Sequence, residues 1–318
     1  MTKKQTGRAF TFPGQGSQTV GMGKDLADWH PAARAVFEEV DEALGEALSK
    51  TIFEGPEDQL VLTRNTQPAL MAVSLAVVRG IEAEAGRPVS ELADFVAGHS
   101  LGEYSALAAA GSIGLADTAR LLRLRGEAMQ TAVPVGEGAM AALLGVEADV
   151  AAEIAADAVQ DGCCDVANDN ATGQVVLSGS KAAVERAVEI AGGRGAKKCV
   201  MLPVSAPFHC ALMAPAADAM AEALADVDLR QPAVPLVSNV LASAITDPNE
   251  IRQRLVEQVT GMVRWRESVM WMAANGITEV VEAGAGKILS GLVRRIDRTV
   301  TGRAIGSPQD VQAFLEAL

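Results

Sequence analysis

Aromatic side chains are scarce in this chain, at 3% of 318 residues, with a single Tyr. A core built on stacked rings is therefore excluded, and packing must rest on Ala, Val, Leu and Gly, which suit close helix–sheet contact. Histidine and cysteine are also few. Only His30, His99 and His209 can supply an imidazole, and the thiols are Cys163, Cys164, Cys199 and Cys210. No C-x-x-C occurs and no zinc constellation is spelled out, so no metal is expected. The thiols are expected to be reduced and buried, in a reducing compartment. Long apolar runs are missing too. The longest, Ala69–Val78, is about half of the ~20 residues that cross a bilayer. The start MTKKQTGRAF carries charge without the apolar segment of an export signal, which points to the cytoplasm. Positive charge is in deficit, 27 Lys and Arg against 40 Asp and Glu, leaving a net −13. A field of that sign disfavours nucleic acid and anionic membranes as partners.

What is present is a large apolar fraction, 49%, with only 21% charged residues. That supports a sizeable core and excludes global disorder. Strand-like and helical segments alternate over the first third: a strand at Arg8–Phe12, helices at Ala32–Leu48 and Gln67–Ala85, a strand at Asp94–Ala97, then helices at Gly102–Ala110 and Asp117–Thr131. Alternation of this kind predicts an α/β fold with a mostly parallel sheet. Between Pro134 and Pro207 the pattern changes to strand Ala139–Val146, helix Ala148–Val159, strands Asp165–Asn168 and Gln174–Ser178, helix Lys181–Ala191 and strand Lys198–Val204. The order βαββαβ is that of a ferredoxin-like unit. Two domains are expected: a discontinuous large one over 1–133 and 207–318, and a small insert over 134–206. After Pro207 a helix (Ala211–Ala225), a strand (Val234–Asn239), helices at Asn249–Val259 and from Trp265, and a strand (Thr278–Glu282) complete the pattern.

Gly98-His99-Ser100-Leu101-Gly102 fits G-x-S-x-G between a strand and a helix. A sharp turn there needs flanking glycines and pushes the serine oxygen out at the carboxyl edge of the sheet, as in a nucleophile elbow. The bland alternative is a chance Gly-Ser-Gly turn. A serine hydroxyl is a weak nucleophile until a base takes its proton. His99 is adjacent and directed elsewhere by the turn, and His30 sits in an early polar segment. By elimination His209, at a loop–helix junction, is the candidate base, or else a satisfied structural histidine.

The glycine loops exclude nucleotide chemistry. Gly14-Gln15-Gly16 lacks the third glycine of a dinucleotide fingerprint because position 19 is Thr19, and Gly284-Ala285-Gly286-Lys287 is followed by Ile288 rather than Ser or Thr. The first loop can instead place the Gln15 N–H beside the Leu101 N–H as an oxyanion pair. The 117–131 segment holds a further signal. Around the helix, Arg125 falls at about 40° from Leu121, inside the arc of Leu122, Leu124, Ala128 and Met129, while Arg120 and Arg123 face the polar side. A buried guanidinium needs a carboxylate. Either a buried Asp or Glu supplies it, or a ligand with a free acid does, such as a malonyl group held bidentately.

Three motifs in order now matter: Phe12-Pro13-Gly14-Gln15-Gly16-Ser17-Gln18, Gly98-His99-Ser100-Leu101-Gly102-Glu103-Tyr104-Ser105, and His209-Cys210-Ala211-Leu212-Met213. Together they closely resemble the malonyl-CoA:acyl carrier protein transacylases, a family that includes acyltransferase domains of fatty acid and polyketide synthases. The resemblance runs from about Phe10 to Val293. It implies Ser100 as nucleophile, His209 as base, Gln15 and Leu101 amides as oxyanion hole and Arg125 as the malonyl carboxylate's partner. It further implies that the main-chain carbonyl of Gln258 orients the histidine, that Asn170 lines the pocket, and that Phe208 marks malonyl selectivity, although many bacterial stand-alone members carry serine there. The implied activity is malonyl transfer from malonyl-CoA to acyl carrier protein in fatty acid synthesis, by a monomer needing no cofactor beyond the coenzyme A thioester. Arg194, Lys197 and Lys198 are candidates for docking an acidic carrier protein, or equally a solvated edge. The rivals are a polyketide-type transacylase with another acyl group, a serine esterase, whose Ser–Asp–His order is poorly met, and a non-catalytic carrier-binding module.

Overall fold

A computed structural model describes residues 7–318. Met1–Thr6, which opens the segment read as lacking an export signal, lies outside the described residues. The apolar runs of the sequence form the centre of a six-stranded sheet. Its members are β1 (Gly7–Phe12), β2 (Phe95–Gly98), β7 (Leu236–Val237), β8 (Ala244–Ile245), β9 (Ile277–Ala283) and β10 (Thr301–Ile305). The order is β10-β9-β1-β2-β7-β8. Every pair is parallel except β7–β8. A parallel sheet is covered on both faces, which is why consecutive residues Ala9–Phe12 of β1 and Glu279–Ala283 of β9 are all buried. One layer includes the Thr63–Ala85 helix, most of it buried. On the other face, Trp265, Val269 and Met272 pack with Leu289 and Val293.

The middle of the chain forms its own antiparallel sheet from β3 (Gly138–Leu144), β4 (Cys164–Ala171), β5 (Gln174–Ser180) and β6 (Lys198–Met201), in the order β4-β5-β3-β6. Alternation along β3 divides its side chains between two cores. Ala141 and Leu143 pack with Ile154 and Val184 from the Ala148–Ala158 and Lys181–Gly193 helices. Met140 turns the other way, into the main core.

The mixed α/β fold and its mostly parallel sheet agree with the sequence reading, but several boundaries differ for local reasons. The helix expected over Ala32–Leu48 is two, Pro31–Leu44 and Leu48–Glu54, because Gly45 takes a left-handed φ of 65° and ends the first. Only Leu236–Val237 of the expected Val234–Asn239 strand pairs; Pro235 has no N–H for the ladder, and Asn239 leaves it to bind the Ser100 turn. The strand expected to reach Val204 stops at Met201, short of Pro203. Beyond β9, the Ile288–Ile296 helix, β10 and the Pro308–Leu315 helix were not foreseen. The glycine loop at Gly284–Lys287 feeds that first helix, whose Leu289 and Ser290 N–H groups are accepted by buried Glu282. Among the described residues no helix is long and apolar enough to cross a membrane.

Candidate active site

β2 ends at Gly98 and the next helix starts at Gly102, leaving three residues to reverse the backbone. A Cβ on Gly98 would lie 1.9 Å from the Gly102 carbonyl, so only glycine fits. The bend puts Ser100 at φ 54°, a left-handed conformation that costs a non-glycine residue on the order of 1–3 kcal/mol. Neighbours hold it there. Ser100 N donates to Asn239 Oδ1 at 2.8 Å, Asn239 Nδ2 to Gly98 O at 2.6 Å, and Gln258 Nε2 to Ser100 O at 2.9 Å.

His209 meets this turn from the loop after the second sheet. Its Nε2 lies 2.8 Å from Ser100 Oγ. Its Nδ1 lies 2.8 Å from Gln258 O and 3.1 Å from Gly261 O. Both carbonyls only accept, so the ring proton sits on Nδ1 and Nε2 presents a lone pair to the serine. Burial, reinforced by the Arg125 cation, pulls the imidazole down to about 3, so it is neutral at ordinary pH. The ring can therefore take the hydroxyl proton. No aspartate is needed to fix the tautomer.

Arg125 is 1% exposed. The Leu115–Thr131 helix carries it inward, with Leu121 and Leu122 on the same buried face. No salt bridge reaches it among the described residues. Its Nη1 donates to Gln67 Oε1 at 2.8 Å; its Nη2 donates to Gln258 Oε1 at 2.8 Å and to Ser100 Oγ at 3.1 Å. Its Nε has no partner among the described residues. Amide oxygens thus orient the guanidinium without neutralising it. Among the described residues, the alternative of a structural ion pair is not met. The nearest buried acid, Glu103, instead accepts from Gln258 Nε2 at 2.6 Å and from Asn239 N at 3.2 Å. Burial pushes its carboxyl up to about 7.

A cavity of about 340 Å³ opens over these groups, lined by Gln15, Ser100, Leu101, Arg125, Phe208 and His209 among others. Six of the eight residues singled out in the sequence share that wall. Gln258 lies behind it, its side chain spent on Arg125, Glu103 and the Ser100 carbonyl. Asn170 is not on the wall: Asn168 is, while Asn170 Oδ1 lies 2.9 Å from Nε2 of His99. His99 is itself part of the lining and packs against Trp265. His30 caps the Pro31–Leu44 helix, its Nδ1 accepting from Ala32 N. Gln67, Glu103 and Asn239 went unassigned in the sequence. Their only signal was polarity at positions otherwise reading as core.

A serine paired with a neutral imidazole, and an unneutralised guanidinium in the same small cavity, suit acyl transfer with an acidic acyl chain. Residues 9–253 match the family described as acyl transferase domain, and the chain belongs to that family. Within it, the chain is similar to the malonyl CoA-acyl carrier protein transacylase of Bacillus subtilis (strain 168), at 44% identity over 98% of this chain and 96% of that protein. The crystal structure of the acyl-carrier-protein-S-malonyltransferase from Bartonella henselae superposes with a TM-score of 0.96 at 56% identity, covering 98% of this chain and 99% of that one. A malonyl-transacylase solved with its type II PKS acyl-carrier protein gives a TM-score of 0.95 at 39% identity, over 98% of this chain and 100% of that one.

Proposed function

We propose that this chain moves the malonyl group from malonyl-CoA to the phosphopantetheine thiol of acyl carrier protein through an ester on Ser100, supplying fatty acid synthesis. The observation that carries the reading is the buried, carboxylate-free Arg125 within 3.1 Å of Ser100 Oγ. In the first half-reaction His209 Nε2 accepts the Ser100 proton as Oγ attacks the thioester carbon. The N–H groups of Gln15 and Leu101 face the developing oxyanion; neither has an acceptor among the described residues. The carbon–sulfur bond breaks, coenzyme A leaves with the proton from His209, and a malonyl–serine ester remains. In the second half-reaction the carrier thiol gives its proton to His209, its sulfur attacks the ester carbon, and Ser100 leaves as the alcohol.

Arg125 grips the free carboxylate throughout, an acetyl group leaving that cation unpaired. Phe208 narrows the acyl end of the cavity and Asn170 steadies His99. The Ser100 bend serves as a nucleophile elbow. The second sheet, read as a ferredoxin-like insert over 134–206, closes the cleft over the large domain (1–133 and 207–318). The reading takes the chain as a cytoplasmic monomer that binds no nucleic acid or membrane and uses no metal or cofactor beyond the thioester. The similarity to a transacylase solved with a type II PKS carrier keeps polyketide carrier proteins as a second class of acceptor.

Intact-protein mass spectrometry with malonyl-CoA tests the proposal. The wild type gains one malonyl group and Ser100→Ala none, and adding holo carrier protein discharges the adduct onto the carrier. A wild type without an adduct points to a binding module, and free malonate as the main product points to an esterase.

A further inference from the structure

Beside the loop that carries His209, Cys163, Asp165 and Cys210 bring two Sγ atoms and a carboxylate oxygen within 4.8 Å of one another. All four cysteines are free, but Cys163 is only half-buried, unlike the buried Cys210. The Cys210 thiol donates to Pro207 O at 3.0 Å. Cys163 is thus the member of the pair that a small peroxide can reach, while the Cys210 proton is held by Pro207 O. Cys164, next in sequence, is buried and pushed up to about 12. A metal fits this cluster poorly. Asp165 Oδ2 already accepts from Ala211 N at 2.9 Å, and no fourth ligand for a closed tetrahedral site accompanies the three among the described residues.

We propose that Cys163 and Cys210 are an oxidisable dithiol that reacts with hydroperoxides and, on closing to a disulfide, draws His209 away from Ser100. The chemistry balances in two steps. The Cys163 thiolate attacks the outer peroxide oxygen, the O–O bond breaks, the alcohol (or water) leaves with a proton, and a sulfenic acid remains on Cys163. The Cys210 sulfur then attacks the Cys163 sulfur. The S–O bond breaks, water leaves with the Cys210 proton, and the S–S bond forms. Sulfur is oxidised by two electrons overall and the peroxide is reduced by two.

The mechanical consequence follows from what the Cys210 thiol holds. Both backbones are fixed, the Cys163 carbonyl by Ser180 N at 2.9 Å and Oγ at 3.2 Å and the Cys210 carbonyl by Met213 N at 3.0 Å. Closing to a bond of ~2.05 Å therefore turns the side chains, that of Cys210 included. There the thiol–carbonyl bond from Cys210 to Pro207 spans the turn that holds His209 at a left-handed φ of 58°. A disulfide has no S–H to make that bond. With the clasp gone, the strained histidine backbone is free to relax and the 2.8 Å contact to Ser100 opens.

The effect on Ser100 rests on the proposed serine–histidine roles, so two readouts are kept apart. The full chain is titrated with hydrogen peroxide. Peptide mapping reports the linkage, and a fluorophosphonate probe reports Ser100 reactivity. The expected result is a Cys163–Cys210 cross-link and labelling slowed by at least about tenfold, both reversed by dithiothreitol. Cys163→Ala is expected to label at the untreated rate before and after peroxide. The proposal is overturned if the map shows no such link, if linked protein labels undiminished, or if Cys163→Ala loses labelling to the same degree. Reduced wild type that the probe does not label speaks against the Ser100–His209 pairing and so removes the second half of the proposal, with the map still deciding the first.

Discussion

Arg125 is a cation held by two amide oxygens, and that sets what its removal does. Arg125→Ala is expected to lower kcat/KM for malonyl-CoA by roughly a thousandfold while changing that for acetyl-CoA little, measured in parallel half-reactions. Arg125→Lys should not restore it, since one ammonium cannot span Gln67, Gln258 and a carboxylate. Titration gives a second expectation. His209, held near 3 in the fold against 6.5 when unfolded, stabilises the fold above about pH 6.5 and loses that contribution as pH falls. Glu103, raised to about 7 from 4.5, does the reverse: its contribution is complete below about pH 4.5 and disappears as pH rises through 7. Because the two opposite dependences overlap between about pH 4.5 and 6.5, thermal melts from pH 4.5 to 8 should vary little in the wild type, fall with rising pH in His209→Gln and rise with it in Glu103→Gln. A Glu103→Gln melt with the wild-type pH slope between 6 and 8 would count against the buried-acid account. Arg125 was legible in the sequence because a charge among leucines breaks a helical pattern. Glu103 and Asn239 were not, because their partners lie 155 and 139 residues away in sequence.

At the scale of elements, two glycines let backbones meet. A Cβ on Gly98 would strike the Gly102 carbonyl, and one on Gly126 would lie 2.6 Å from Arg64 Cα, where the Arg125 helix crosses the Thr63–Ala85 helix. Neither obstacle is a flexible side chain, so the strain has no cheap outlet. Gly98→Ala is expected to cost roughly 3 kcal/mol or more in thermal or denaturant unfolding and to abolish Ser100 labelling in whatever folds. The strand–turn–helix at Ser100 was legible because glycine spacing and the change of period coincide there. β10 was not, since Thr301-Gly302-Arg303 is half-exposed edge sequence without an apolar signature. The shortness of β7 is set by where Asn239 is needed, a tertiary demand that a local pattern does not carry.

At the scale of the whole molecule, a net −13 bears on the proposed docking of a carrier protein expected to be acidic. Of the three basic residues put forward for that contact, Arg194 pairs with Glu153 at 3.1 Å and with Asp157. Lys197 and Lys198 are exposed with no salt-bridge partner among the described residues. Reversing both to Glu is expected to raise KM for the carrier several-fold, less so at high salt, and to leave Ser100 acylation by malonyl-CoA unchanged. Equal effects on both half-reactions would place the contact elsewhere. The proposed reacting pair joins distant parts of the chain: 109 residues separate Ser100 from His209, and the whole second sheet is threaded between them. During refolding, helical signal and burial can recover while that excursion is still searching for its seat. Regain of enzymatic turnover should accordingly trail regain of circular dichroism, with the lag lengthened by substitutions that slow β3–β6 assembly alone.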